Sequence, residues 1–200
     1  MCGITSKEDA VKCAELGADI LGFIFAEKSP RTNKPEDSEK IMKIRAALKQ
    51  LFESKKIKKM PLLVGVIVNP FSEEGNSVFQ MCYEQILDGI QFHGCGNLAK
   101  GEFGYAAVPL AAEEDFGALK ELYSSGFPRV LVDAKNLESA NAGGDSRYGG
   151  TGKTIPSELI AKSKKAGPLW LSGGLNPENI QYMIKNFQPE LVDVNSGVES

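Results

Sequence analysis

The sequence predicts an α/β fold of the (β/α)8 class, a TIM barrel, in a single domain over residues 1–200. Three observations point there. Short runs that are apolar on both faces, such as LLVGVIV at 62–68, alternate along the chain with stretches whose apolar residues recur at helical spacing. The last two apolar runs open directly into glycine loops, where this fold class holds phosphate. With 42% hydrophobic residues, the 200-residue chain has enough apolar surface for one core, at the small end for a barrel.

In order, residues 6–16 carry Val11, Ala14 and Leu16 behind the acids Glu8 and Asp9 and stop at Gly17, as a short capped helix does. DILGFIF at 19–25 is a buried parallel strand. The loop AEKSPRTNKP leads into a helix over 36–52, with Ile41, Ile44, Leu48 and Leu51 on one stripe. SKKIKK at 54–59 reads as a solvated helix end.

Residues 62–68 form the next buried strand, 72–87 a helix and 89–92 another strand. The glycine-rich stretch 93–103 is ambiguous. YAAVPL at 105–110 is a strand, 113–124 a helix, 129–133 a strand, 136–153 a long loop and 156–165 a helix. Residues 169–172, 177–186 and 191–195 then read strand, helix, strand. With a first strand that Met1 and Cys2 barely supply, there are eight strands, and such alternation implies parallel pairing with right-handed crossovers. An open doubly wound sheet is the second arrangement that the alternation allows.

Several function classes are excluded. The net charge of −3 comes with no basic stripe, so nucleic acid is not the partner. No apolar run approaches the ~18 residues of a membrane span, and MCGITSKED lacks a signal pattern, so the expected setting is the cytoplasm with no membrane partner. Four cysteines without CxxC spacing and a single histidine argue against a disulfide framework or a metal site.

In a barrel the carboxyl ends of all the strands meet at one face. Cys2, Arg31, His93 and Asp133 would converge there with the loops GGTGKT (149–154), SGGLN (172–176) and NSGVE (195–199). Glycine lets backbone N–H groups approach an anion closely, which makes Gly150, Gly152, Gly173, Gly174, Asn195, Ser196 and Gly197 candidates for phosphate binding. Each residue also has a plainer reading. Cys2 suits a small buried residue, Asp133 a cap, His93 a satisfied polar group and the glycine pairs tight turns.

The motifs CGIT at 2–5, GADILGFIF and SPR within 17–31, VGVIVN at 64–69, QFHG at 91–94, LVDAK at 131–135, GGTGKT, SGGLNPENI and VDVNSGVES follow one another over nearly the whole chain. In that combination the sequence resembles the phosphoribosylanthranilate isomerase family of tryptophan biosynthesis. The resemblance implies a barrel and a cofactor-free Amadori rearrangement of a small phosphosugar, phosphoribosylanthranilate. It implies Cys2 as general base and Asp133 as general acid, with Arg31 and His93 on the substrate. The planar fork of Arg31 suits the aminobenzoate carboxylate. A homodimer, or fusion to another tryptophan-pathway enzyme, belongs to the same expectation.

The chemistry asks for these groups. A proton must reach the furanose oxygen as the ring opens, and another must leave the second sugar carbon. An ordinary carboxyl near 3.9 is protonated about one part in a thousand at pH 7, so an acid in this role needs a setting that holds its proton.

The sequence also departs from the family pattern. Cys95 stands where the family more often has an acid, almost nothing precedes Cys2, and the chain stops where the family continues into an eighth helix. A short first strand and a missing last helix are therefore expected, with residues absent at one or both ends or a partner subunit covering the gap. Two rival readings are another phosphosugar barrel and a non-catalytic binder of phosphate ligands. A histidine-pathway isomerase would carry aspartate in place of Cys2, and an epimerase would need metal ligands that one histidine supplies poorly.

Overall fold

The computed structural model describes residues 1–94, 104–134 and 154–198. The chain divides into two compact units, one built on residues 1–92 with Gly104 and one on residues 105–198 with His93 and Gly94.

In the first unit, helix α1 (Lys7–Glu15) starts where the Ser6 hydroxyl accepts the Asp9 N–H at 3.0 Å, and it stops before Gly17, whose φ is +93°. Strand β1 (Ile20–Phe25) pairs in parallel with β2 (Leu62–Ile67), and β2 with β3 (Gly89–His93). Buried on both faces, as their apolar runs require, these strands place Leu21, Phe23, Leu63 and Ile67 out of contact with water.

Helix α2 (Ser38–Glu53) buries Ile41, Ile44 and Leu48, and α3 (Glu73–Tyr83) buries Val78, Met81 and Cys82. Gly65 makes room for α3, since a Cβ there would come within 2.6 Å of Val78 Cγ1. An ion pair ties α2 to the strand starts. Arg45 Nη2 lies 2.6 Å from Asp88 Oδ2, which also accepts the Leu63 N–H at 2.7 Å, while Arg45 Nε donates to the Ile86 carbonyl at 3.0 Å. Charge-assisted bonds of this kind fix the register at the amino ends of β2 and β3.

The second unit contains β4 (Gly104–Leu110), β5 (Val130–Ala134), β6 (Leu169–Leu171) and β7 (Leu191–Val192), each pairing in parallel with the next. Helices α4 (Phe116–Ser124), α5 (Ser157–Ala166) and α6 (Ile180–Phe187) supply Leu119, Leu122, Ile160 and Met183 to its core.

Within each unit the strands pair in sequence order. That is the barrel pattern, and neither unit shows the order reversal that defines a doubly wound sheet. Among the described residues there are seven strands. The first of the eight expected is reduced to a single parallel bridge between Cys2 and Gly22. The helix expected over 177–186 begins later, at Ile180, because side chains of Asn176 and Asn179 take up the preceding N–H groups.

Candidate active site

Asp133 and His93 stand at the carboxyl ends of β5 and β3, and each is only 7% exposed. The strand leading to Asp133 is Val130, Leu131 and Val132, all buried, so the carboxylate closes an apolar run. Its Oδ1 accepts the Ala134 N–H at 2.9 Å, and its Oδ2 lies 3.9 Å from His93 Nε2. The single histidine and the strand-end aspartate named from sequence therefore share one site.

A third titratable group, Asp193, was not among the candidates. It follows β7 directly, and its N–H donates to the Leu171 carbonyl at 2.8 Å. Burial pushes its carboxyl from 3.8 up to about 6, and the charge of Asp133 adds to the rise, while the Val194 N–H and His93 pull the other way. A carboxyl near 6 holds a proton about one time in ten at pH 7, a far larger share than an ordinary aspartate. The only sequence signal was an acid between the two valines of VDVN, which looks like any strand-end carboxylate.

Asp193 makes folding stability depend on pH, and the sign follows from the raised value. The folded chain keeps this proton where the unfolded chain releases it, so the stabilisation is complete below about 4 and is lost as pH rises through about 6. Urea unfolding from pH 4 to pH 8 is expected to show this decline in the parent, and Asp193→Asn is expected to flatten it.

Two of the three glycine loops are described, and they pack on each other. Gly173 and Gly174 have φ of +87° and +64°, open to glycine and strained for other residues. A Cβ on Gly173 would overlap the backbone N and the Cβ of Ala134, so this loop lies against the residue that follows Asp133. A Cβ on Gly197 would overlap the Leu175 carbonyl, which seats the Asn195–Ser196–Gly197 turn on the SGGLN loop. Neither Gly173 nor Gly174 donates its N–H to another described residue. The Asn195 Oδ1 is enclosed with no hydrogen-bond partner among the described residues. Gly150 and Gly152 lie outside the described residues, as do Cys95 and the rest of GGTGK.

The other two candidates belong to the first unit. Cys2, half-buried, rests on Gly22, where an added Cβ would meet Cys2 Sγ at 3.0 Å. Arg31, also half-buried, follows β1, and its N–H donates to Ser29 Oγ at 3.2 Å. Cys82 is buried in α3, and burial pushes its thiol up to about 11, which leaves it inert at neutral pH. Among the described residues no group of three or more His, Cys, Asp or Glu is arranged to hold a metal ion, and no helix is long and apolar enough to cross a membrane.

Residues 1–200 match the family model for N-(5'-phosphoribosyl)anthranilate (PRA) isomerase. The N-(5'-phosphoribosyl)anthranilate isomerase of Thermotoga maritima is 35% identical over 207 residues, covering 100% of this chain and 88% of the relative. A crystal structure of phosphoribosyl anthranilate isomerase from Thermotoga maritima has a TM-score of 0.74 at 35% identity, with 100% of this chain and 88% of that chain covered. A crystal structure of phosphoribosyl anthranilate isomerase in complex with reduced 1-(o-carboxyphenylamino)-1-deoxyribulose 5-phosphate has a TM-score of 0.68 at 32% identity, over 100% of this chain and 87% of that chain. In sequence along its whole length, and in fold, the chain belongs to the N-(5'-phosphoribosyl)anthranilate isomerase family.

Proposed function

We propose that this chain converts N-(5'-phosphoribosyl)anthranilate into 1-(2-carboxyphenylamino)-1-deoxyribulose 5-phosphate in tryptophan biosynthesis, by general acid–base catalysis without a cofactor. The observation that carries the reading is Asp133, a buried carboxylate at the end of β5 with His93 at 3.9 Å and a glycine loop against the next residue. Family membership and the relative solved with a phosphosugar ligand support it.

In this mechanism Asp133 gives its proton to the furanose oxygen as the ring C–O bond breaks, which leaves an iminium on the anthranilate nitrogen. Cys2, as thiolate, then removes the proton from the second sugar carbon, giving an enolamine that tautomerises to the ketone. The product is an isomer of the substrate, so nothing is oxidised or reduced overall. Arg31 pairs with the anthranilate carboxylate through its bidentate fork, and His93 borders the reacting sugar. The N–H groups of Gly173 and Gly174, with Asn195, Ser196 and Gly197, take the phosphate, and Gly150 and Gly152 belong to the same proposal. A cytoplasmic setting, and self-association or fusion to a neighbouring pathway enzyme, go with this reading.

The test is loss of substrate fluorescence with the parent chain and with Cys2→Ala. Turnover by the parent and a fall of about 10²–10⁴ in the variant are expected, the usual range for removing a general base. A parent that binds product tightly without turnover would instead be a phosphosugar-binding protein.

A further inference from the structure

We infer that Asn33 is a positioning residue that holds Cys2 and Arg31 in register with each other, an inference that rests on the isomerase reading of those two residues. Asn33 lies in the loop after β1, two positions beyond Arg31, and is wholly buried. Loop amides usually face water, so its burial calls for a cause.

Asn33 joins three pieces of chain. Its backbone N–H donates to the Ile24 carbonyl at 2.6 Å, and Thr32 bridges Ile24 in parallel, so the end of the SPR loop runs beside the end of β1. Its side-chain Nδ2 donates to the Ile4 carbonyl at 3.2 Å and reaches the Ile24 carbonyl at 3.4 Å. Ile4 is the third residue of the CGIT segment. One amide therefore spans the Cys2 segment, the end of β1 and the loop that carries Arg31.

Among the described residues the Cys2 segment pairs with β1 through a single bridge, so this link is a large part of what holds it. On one side the Gly22 N–H donates to Met1 O at 2.8 Å, and Gly3 and Ile4 donate to Gly22 O at 3.0 and 2.9 Å. Beyond that point, among the described residues, the Ile4 carbonyl is held by Asn33. Two carbonyls facing Nδ2 also fix which way the amide points, since the flipped form would turn its oxygen toward them. The Oδ1 is enclosed without a hydrogen-bond partner. An apolar side chain would leave no such atom, so the contribution of the amide lies in what its Nδ2 holds.

The test uses Asn33→Asp, which keeps the shape but replaces the donor with a carboxylate, and Asn33→Ser, which removes the reach. Two readouts are needed, namely kcat and KM, and the pH profile of Cys2 alkylation by iodoacetamide, located by peptide mass so that the other thiols do not contribute. A fall in kcat/KM of about 10- to 100-fold is expected, the usual result of misplacing a reacting group by ~1 Å. The Cys2 alkylation profile is expected to move as the thiol's surroundings change.

Parent-like kcat and a Cys2 profile superimposing on that of the parent would overturn the inference, whatever the change in Tm. Should the Asp variant not fold, the Ser variant decides by the same two readouts. Alkylation needs no turnover, so an inactive parent would count against the isomerase reading while the thiol profile still judges Asn33.

Discussion

Asp133→Asn is expected to lower kcat by about 10²–10⁴, the span for loss of a general acid, while product affinity stays within a few-fold of the parent. The substitution is nearly isosteric. The amide oxygen of Asn still accepts the N–H of Ala134, so the 2.9 Å contact that fixes the side chain survives. What is lost is the carboxyl group that the proposed mechanism uses as its acid. A second effect accompanies it, because the charge of Asp133 helps to raise the Asp193 carboxyl. Removing it is expected to move the Asp193 titration to lower pH, readable by carboxyl NMR. A variant with near-parent kcat would assign the acid role to another group, and Asp193 would be the first to examine.

Gly173→Ala is expected to have the largest effect on stability, about 2–5 kcal/mol. Some ~1–2 kcal/mol comes from the left-handed backbone, where φ is +87°, and ~1–3 from forced overpacking against Ala134. In a chain of this size that lowers Tm by roughly 5–15 °C. Gly126→Ala is the control. Its φ is +88°, almost the same, but a Cβ there meets nothing within 4 Å. The difference between the two variants isolates the overlap with Ala134. Because the same loop is proposed to hold phosphate, Gly173→Ala is also expected to weaken product binding at least tenfold where Gly126→Ala does not, as isothermal titration would show. Equal losses in both variants would remove the close approach from the account.

Much of the fold was legible because the strands are buried on both faces. DILGFIF and LLVGVIV admit no exposed side, and both emerge as strands within a residue of the expected limits. Helix starts were legible where a hydroxyl caps, as Ser6 and Ser72 do. Legibility failed where hydrogen bonds rather than apolar pattern decide. Side chains of Asn176 and Asn179 delay α6, and of the five residues expected in the last strand only Leu191 and Val192 pair. Positive φ at Gln85 ends the turn after α3, where the apolar spacing continues through Leu87.

In the candidate site, Asp133, His93 and the glycine loops stand out because a strand end or a glycine pair marks them in one dimension. Asp193 and Asn33 do not, since what sets their surroundings lies far along the chain. Asp193 owes its raised carboxyl to burial and to Asp133, and Asn33 its burial to Ile4 and Ile24.

The sequence-order pairing within each unit bears on how the chain folds as it leaves the ribosome. No strand must wait for a later one to be slotted between it and its neighbour. β2 can dock on β1 as soon as β2 itself has cleared the exit tunnel, β3 can then dock on β2, and β5 to β7 can add to β4 in turn. Each βα step closes only a short stretch of chain, so its entropic cost is small, and each docked strand offers its free edge to the next. Synthesis and folding therefore run in the same direction, and a stalled ribosome leaves the edge of the newest strand open to chaperones or to aggregation.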